Sequence, residues 1–244
     1  MSTNWQYRFY KNIWVGLDWL FPPVCGGCGI PGTRWCQDCQ SKVKRIDDSV
    51  CDACGLPQAN TGLCERCQNN RPAYKQLRSW AVFENPVQGA LHRLKYRRDV
   101  GLGEVLSGYV SEYVSELGWP VSMATPIPLG KRRLKERGYN QVAMIAKPLS
   151  MQLGLDYQPD ALTRARETRT QVGLSASERQ ENVRNAFLAD KKKVAGQVIL
   201  LMDDVSTTGA TLSSAAEALY TSGAKDVFAV TVARALPHHS LNIV

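Results

Sequence analysis

All eight cysteines of the 244-residue chain lie within its first 67 residues, where they form four Cys-x-x-Cys pairs. Two thiolates at this spacing in a tight turn can bind one tetrahedral Zn²⁺, so two pairs complete one four-cysteine site. Gly29 and Gly55 each follow the second cysteine of a pair and permit a left-handed turn that directs amides toward sulfur. Four thiolates leave no coordination position for water, so one or two structural zinc ions are predicted. The candidate ligands are Cys25, Cys28, Cys36, Cys39, Cys51, Cys54, Cys64 and Cys67.

The pairing of these cysteines is open at the level of sequence. Sequential pairing joins the first pair with the second and the third with the fourth, whereas a crossed arrangement joins the first with the third. A disulfide framework and a redox-active pair are the alternatives to zinc. The regular repeat in a chain of cytosolic character favours zinc over both alternatives.

A second group of chemically capable side chains lies in the stretch 199–211, ILLMDDVSTTGAT. Its apolar residues predict a buried strand, with Asp203 and Asp204 following at the carboxyl end. The turn after them opens a helix, whose N-terminal amides form an anion site. Carboxylates accept hydrogen bonds from sugar hydroxyls and help to hold Mg²⁺, so we predict a site for a phosphorylated sugar. The turn residues of this site are Ser206, Thr207, Thr208, Gly209, Ala210 and Thr211.

The chain from about residue 75 supplies the elements that must position this turn. Short apolar runs predict strands, and the amphipathic patterns between them predict helices. The predicted strands are 77–83, 121–128, 197–202 and 226–233, and the predicted helices are 86–98, 102–117, 141–153 and 210–222. This alternation predicts an α/β domain with a mostly parallel sheet and helices on both faces. Ligands of such sheets bind beyond the carboxyl ends of the strands, where the two aspartates fall.

The chain divides into three predicted parts: a helix over 1–22, a zinc-ribbon module over 23–70 and the α/β domain over 75–244. The apolar residues of the first part are spaced along one helical face. They are Trp5, Phe9, Ile13, Trp14, Leu17, Leu20 and Phe21. We expect this face to pack on the zinc module, with a membrane-surface or partner-binding helix as the alternative. The sequence has neither a transmembrane run nor a signal peptide, so a cytoplasmic location is predicted.

The chain carries 30 Lys+Arg against 22 Asp+Glu, and its net charge of +8 predicts anionic partners. Basic residues concentrate in four clusters, at 93–98, 131–137, 164–169 and 191–193. The last cluster is expected to be a solvated face. The other three could form a channel for single-stranded DNA, with Tyr96 or Tyr139 stacking on bases. No motif that recognises base sequence is present, so sequence specificity is not expected.

The stretch 199–211 resembles the phosphoribosyl-pyrophosphate (PRPP) signature of type I phosphoribosyltransferases. With its Cys-x-x-Cys module, the chain is similar over nearly its whole length to the ComF family, bacterial proteins associated with DNA uptake in natural competence. Other segments similar to recurrent ones of that family are Pro126-Ile127-Pro128-Leu129, Arg137-Gly138-Tyr139-Asn140-Gln141, Thr168, Gln171, Arg179, Asn182 and Ala186-Phe187.

The resemblance implies a type I phosphoribosyltransferase-like fold and a role for each part of the site. Asp203 and Asp204, the candidate catalytic residues, would contact the ribose hydroxyls of PRPP, and the turn 206–211 would hold its 5′-phosphate. Mg²⁺ would bind mainly through pyrophosphate and ribose oxygens. The basic stretch 164–171 is the candidate loop that closes over the site. The residues that would contact pyrophosphate, or the backbone of DNA, are Lys131, Arg132, Arg133, Lys135 and Arg137.

Thr207 departs from the pattern of purine-salvage enzymes with this fold, which often carry an acid/base aspartate there. Purine salvage of that kind is therefore not expected. The favoured function is cytoplasmic handling of single-stranded DNA during natural transformation, by a PRPP-binding fold with competence-machinery proteins as partners. The alternatives are transfer of a phosphoribosyl group from PRPP to an unidentified acceptor and PRPP sensing without catalysis.

Overall fold

The structure of the chain, a computed structural model, describes residues 5–20, 22–46, 49–165 and 186–236. The helices of this part are α1 Trp5–Leu20, α2 Gln37–Ser41, α3 Glu65–Asn69, α4 Val87–Tyr96, α5 Gly101–Glu116, α6 Lys131–Arg137, α7 Gln141–Leu153, α8 Lys191–Val194 and α9 Ala210–Thr221. Its strands are β1 Gln76–Val82, β2 Met123–Pro126, β3 Asp156–Tyr157, β4 Leu162–Arg164, β5 Phe187–Ala189, β6 Val198–Ser206 and β7 Asp226–Arg234. From β1 onward, most strands alternate with helices, as the sequence predicts.

Five strands form one parallel sheet in the order β1-β7-β6-β2-β3, and β4 and β5 form a separate antiparallel pair. β6 lies in the middle of the sheet and buries alternate residues on opposite faces. Leu200 and Met202 pack with α4, α5 and α7, whereas Ile199 and Leu201 pack with α9. The prediction of a parallel α/β sheet with helices on both faces is confirmed.

The central strand β6 is longer than the sequence predicts. The prediction ended it at residue 202, because charged residues interrupt the apolar run there. Pairing with β7 nevertheless continues through Asp203, opposite Thr231, to Ser206, opposite Arg234. The two aspartates therefore lie within the strand rather than after it. Since β6 is flanked by β7 and β2, side chains from three strands meet at this carboxyl edge.

The two cysteine repeats fold as separate ribbons, which dock on different parts of the α/β domain. We call residues 22–41 the first ribbon and residues 49–70 the second ribbon. The first packs on α4 and α5, where Gly26 leaves no space for a side chain against Leu102. The second lies along β1, where the Leu77 amide donates to the Ala53 carbonyl at 2.7 Å.

The contacts that the structure describes for helix α1 are made by polar and aromatic side chains. Tyr7 donates to Glu104 of α5 at 2.8 Å, and Asp18 is ion-paired with Arg34 of the first ribbon. The Arg34 guanidinium also lies 5.3 Å from the ring centroid of Trp14. Of the predicted packing face, Trp5, Phe9 and Ile13 are exposed, so the prediction is wrong for these three residues. Trp14 of the same face is half-buried, and the side chains of Leu17, Leu20 and Phe21 lie outside the described residues.

Within the described part of the chain, none of the helices combines the length and the apolar content that crossing a bilayer requires.

Candidate functional site

Each ribbon gathers four cysteine sulfurs into one cluster. The members are Cys25, Cys28, Cys36 and Cys39 in the first ribbon, and Cys51, Cys54, Cys64 and Cys67 in the second. The sulfurs of a cluster lie within 4.8 Å of one another, and the shortest distances between two sulfurs are 3.5–3.8 Å. Four thiolates around one tetrahedral Zn²⁺ would be about 3.8 Å apart, given Zn–S bonds of about 2.3 Å. Each cluster joins consecutive Cys-x-x-Cys pairs, so pairing is sequential and the crossed arrangement is wrong. All eight cysteines are described, and none forms a disulfide.

One thiol of each cluster is prepared for ligation by backbone amides. Burial opposes ionisation of Cys25, but hydrogen bonds from backbone N–H groups, including those of Cys28 and Cys36, outweigh it and lower the pKa to about 6. Burial of Cys51 is likewise outweighed by backbone N–H groups, that of Cys64 first among them, and its pKa is also lowered to about 6. Zinc binds the thiolate form, so the two clusters fit two structural zinc ions.

Asp204 lies on the face of β6 that packs against α4 and α7. Lys95 Nζ of α4 is 2.9 Å from Asp204 Oδ2, and Gln141 Nε2 of α7 donates to the same oxygen at 2.8 Å. Burial alone would raise the pKa of Asp204, but the charge and hydrogen bond of Lys95, with the hydrogen bond of Gln141, lower it instead. Asp204 is therefore a carboxylate at neutral pH.

Asp203 lies on the opposite face of β6 and has a different ionisation. Burial raises the pKa of Asp203, and the neighbouring charge of Asp204 raises it further, to about 7. The Asp204 amide, which donates to Asp203 Oδ1 at 2.8 Å, and the charges of Lys95 and Arg164 only partly offset this rise. Asp203 therefore exchanges a proton near neutral pH, while its neighbour stays ionised.

The residues between β6 and α9 form a short turn that we call the hydroxyl loop (residues 206–209). Gly209 has a φ of +77°, and a Cβ at this position would lie 2.5 Å from the Tyr74 hydroxyl. The buried hydroxyls of Tyr74 and Ser206 have no hydrogen-bond partner among the described residues. Unpaired buried donors beside a helix N-terminus fit an anionic ligand.

The other turn residues that the sequence analysis singled out also lie at this helix start. Thr207, Thr208, Ala210 and Thr211 are all half-buried. Thr208 Oγ1 accepts a hydrogen bond from the Ala210 amide at 3.3 Å, which ties the loop to the first turn of α9. The structure therefore brings all six predicted turn residues to one place, at the end of β6.

The basic residues predicted to contact pyrophosphate are only partly linked to the aspartates. Lys131, Arg132 and Arg133 are exposed on α6. Arg137, at the end of that helix, donates to the side chain of Gln141, the residue that holds Asp204. Arg137 is therefore the member of this cluster that the described contacts connect to the site.

Sequence reasoning missed two residues of the site. Lys95 was counted within a basic cluster, although a helix over 87–96 places it four residues after Leu91, beside the buried face. Tyr74 precedes β1 and carried no motif. The helical position of Lys95 was the one available signal.

The structure describes only residues 164 and 165 of the predicted closing loop, 164–171. Arg164 is described, and its guanidinium lies 5.2 Å from the ring centroid of Phe187. The rest of the loop, residues 166–171 with Thr168 and Gln171, lies outside the described residues. Arg179 and Asn182 lie outside them as well.

Two family models match this chain, one in each half. A double zinc ribbon domain model matches residues 16–68, and a phosphoribosyl transferase domain model matches residues 143–239. DNA utilization protein YhgH of Escherichia coli is 34% identical over 220 residues, which cover 87% of this chain and 94% of that protein. Competence protein ComFC of Bacillus subtilis is 30% identical over 79% of this chain and 80% of its own length. Competence protein F of Haemophilus influenzae is 27% identical, over 86% of this chain and 94% of its own length.

The fold and the site together define a double zinc-ribbon protein with a phosphoribosyltransferase-like α/β domain. Its relatives are 27–34% identical over most of the chain, and this similarity identifies the family. The chain belongs to the ComF family, and is thus a competence-associated protein of phosphoribosyltransferase fold with two four-cysteine zinc sites.

Proposed function

We propose that the chain binds PRPP together with Mg²⁺ at the carboxyl edge of its sheet. The observation that carries this proposal is the meeting of two differently ionised aspartates with the hydroxyl loop at the end of β6. Asp203 and Asp204 accept hydrogen bonds from the ribose hydroxyls. The 5′-phosphate binds at the N-terminus of α9, with the buried hydroxyl of Ser206 as a donor. Mg²⁺ binds mainly to the oxygens of the ligand, as a hard cation requires.

Isothermal titration of Mg²⁺–PRPP into the zinc-replete protein tests this proposal. Saturable binding with about one site per chain is the expected result, and the double variant Asp203→Asn/Asp204→Asn should lose it. Asp38→Asn is the control, because Asp38 lies on the exposed surface of the first ribbon. If the unmodified protein binds no PRPP in the presence of Mg²⁺, the proposal is wrong.

The names of the relatives support a role in the handling of DNA, which we propose to be single-stranded. YhgH is called a DNA utilization protein, and ComFC is called a competence protein. Single-stranded nucleic acid binds to surfaces that combine cations with aromatic rings, since the cations attract the backbone and the rings stack on bases. The chain has such a combination beside the proposed PRPP site.

A row of side chains runs from the first ribbon to the aspartates and forms this proposed DNA surface. It begins in a cleft of about 450 Å³, whose lining includes His92 and Arg97. The rings of His92 and Tyr96 have centroids 4.8 Å apart, and the Arg137 guanidinium lies 5.3 Å from the Tyr96 centroid. Tyr96 is 55% exposed and can therefore receive a base. Gln141 joins Arg137 to the carboxylate of Asp204.

Fluorescence anisotropy with a labelled oligothymidine tests this DNA surface. Tyr96→Ala should weaken binding about tenfold, because stacking of one base contributes on the order of 1–3 kcal/mol. Trp19→Ala is the matched control, since Trp19 is an exposed aromatic residue on α1. Equal losses in the two variants, or no binding by the unmodified protein at low salt, would contradict a DNA surface at this place.

Transfer of the phosphoribosyl group to an acceptor is a second candidate function. The pKa of Asp203, about 7, favours it, because a group that exchanges a proton near neutral pH can act as an acid or a base. The test is release of pyrophosphate from Mg²⁺–PRPP in an acceptor screen that includes single-stranded DNA. Transfer predicts a release that Asp204→Asn abolishes, whereas PRPP binding without release in any mixture favours the sensing alternative.

A further inference from the structure

The second ribbon touches the hydroxyl loop directly. Arg66 lies in α3, between two ligands of the second zinc site, and its Nη2 donates to the Thr208 carbonyl at 2.7 Å. In the planar trans peptide between Thr208 and Gly209, the carbonyl and the N–H point in opposite directions. A hydrogen bond that holds the Thr208 carbonyl therefore also holds the direction of the Gly209 N–H. Arg66 therefore orients a backbone donor at the start of α9.

A second arginine joins the same ribbon to the strand beside the loop. Arg234 ends β7, is 1% exposed and pairs in register with Ser206. Its Nη1 donates to the Cys54 carbonyl at 2.6 Å, and its Nη2 lies 3.9 Å from Cys54 Sγ. The next residue continues this link, because the Ala235 amide donates to the Ser206 carbonyl at 2.9 Å. The two ends of the hydroxyl loop are thus each connected to the second zinc site.

The first ribbon makes its contacts elsewhere. Arg34 is ion-paired with Asp99, before α5, and with Asp18 of α1. Gly26 lies against Leu102 of α5. The described contacts of this ribbon therefore run to the helices on one face of the sheet, and the two zinc sites differ in what they hold in place.

We propose that Arg66 is a positioning residue for the hydroxyl loop, and that through it and Arg234 the second zinc site, but not the first, sets the affinity for the phosphosugar. This inference rests on the proposed binding of PRPP at the loop. It gives the second ribbon a task beyond its own stability. Loss of zinc from the second site would release Arg66 and Cys54 together, and with them both connections to the loop.

The first test compares Arg66→Ala with Arg66→Lys and with Arg45→Ala, each in zinc-replete protein. Arg45 is the matched control, since it is a surface arginine paired with Glu116. Arg66→Ala should raise the Kd for Mg²⁺–PRPP about tenfold, which equals about 1.4 kcal/mol. It should leave two zinc ions per chain and the melting temperature unchanged. Arg66→Lys should restore part of the affinity, because a lysine can still donate to the Thr208 carbonyl.

The second test removes one zinc site at a time. Cys64→Ser should lower zinc content to one ion per chain and weaken Mg²⁺–PRPP binding, whereas Cys28→Ser should lower zinc content equally with little loss of affinity. Circular dichroism and melting curves show whether the α/β domain stays folded in both. Equal Kd values in Arg66→Ala and the unmodified protein, or equal losses in the two cysteine variants, would overturn the inference.

Hydrogen exchange without ligand separates this inference from the proposed function. In ligand-free protein, Arg66→Ala should speed amide exchange in residues 206–213 at least severalfold, whereas Arg45→Ala should not. If the unmodified protein binds no PRPP, the proposed function fails, and the exchange result still decides whether Arg66 holds the loop. Unchanged exchange in Arg66→Ala rejects the positioning role whatever the protein binds.

Discussion

Asp203 and Asp204 are neighbours in sequence, but the strand gives them different chemistry. Because successive residues of β6 face opposite sides of the sheet, only Asp204 meets Lys95 and Gln141 and becomes a stable carboxylate. Asp203 is left with the burial cost and the repulsion of its neighbour, and its pKa rises to about 7. Two carboxyl groups whose environments separate their pKa values are suited to different tasks in one site.

The raised pKa of Asp203 predicts a pH-dependent cost to stability. In the unfolded chain this group ionises near its ordinary pKa of 3.8, so charging it in the folded state disfavours folding increasingly as pH rises toward about 7. Replacing it with asparagine removes this cost. Asp203→Asn should therefore stabilise the ligand-free protein more at pH 8 than at pH 6, by on the order of 1 kcal/mol. Urea denaturation at both pH values measures this difference, and an equal gain at both would contradict the raised pKa.

Lys95 predicts a larger change, because it pairs with a buried carboxylate. The side chains of Lys95 and Asp204 are 17% and 8% exposed. Lys95→Met leaves that carboxylate without its cation, so the free energy of unfolding should fall by about 3 kcal/mol. Adding Asp204→Asn to Lys95→Met should recover much of this loss.

The Lys42–Asp38 pair is the control for this experiment. Its side chains are 64% and 65% exposed and screened by solvent, so Lys42→Met should leave the free energy of unfolding almost unchanged. Equal losses for Lys95→Met and Lys42→Met in urea denaturation would show that Asp204 does not depend on its cation.

The elements of the fold differ in how well their sequence signals define them. Helix α7 begins and ends as predicted, because Asn140 caps its start and Gly154 ends it in a left-handed conformation. Gly29 and Gly55, which follow the second cysteine of a Cys-x-x-Cys pair, also adopt the predicted positive φ. Local signals of this kind depend only on neighbouring residues.

Features that depend on distant contacts were harder to predict. The end of β6 is set by its pairing with β7, and the orientation of α1 is set by Glu104 and Arg34. Cysteine spacing fits sequential and crossed pairing alike, so only the fold distinguishes them. The turn residues of the site lie together as predicted because they are contiguous, whereas Lys95 and Tyr74 join them through packing.

The turn between β6 and α9 predicts a second effect at the scale of elements. Gly209→Ala combines two costs: a left-handed residue with a side chain, on the order of 1 kcal/mol, and a clash with the Tyr74 hydroxyl. The variant should be destabilised and should bind Mg²⁺–PRPP more weakly. Thermal melting and isothermal titration measure the two effects.

Gly118→Ala supplies the control for strain alone. Gly118 lies between α5 and β2, away from the carboxyl edge of the sheet, and has a φ of +61° with no atom near the missing Cβ. Its substitution should therefore cost stability without affecting PRPP binding. Tyr74→Phe removes the clashing hydroxyl and should recover part of the loss in Gly209→Ala. Equal PRPP affinity in Gly209→Ala and Gly118→Ala would contradict a role of this turn in binding.

At the scale of the whole molecule, the net charge of +8 predicts how DNA binding should respond to salt. If the row from the first ribbon to α6 neutralises about four phosphates of single-stranded DNA, the slope of log K against log salt should be about −2.8. Affinity for oligothymidine should then fall roughly 50-fold between 50 and 200 mM NaCl. Tyr96→Ala should lower affinity without changing this slope, and a slope near zero would contradict an electrostatic DNA surface.

The contact between Arg234 and Cys54 also has a consequence for how the chain is made. The two residues are 180 positions apart, so the second ribbon leaves the ribosome long before its arginine partner exists. At about 5–20 residues per second, the delay is roughly 10–35 s. Strand β1 is also made well before its partner in the sheet, since Gln76 pairs with Phe228 of β7, 152 positions later. During this interval the contacts that Arg234 supplies are missing, so we expect the second ribbon to depend more strongly on bound zinc until the last strand completes the sheet.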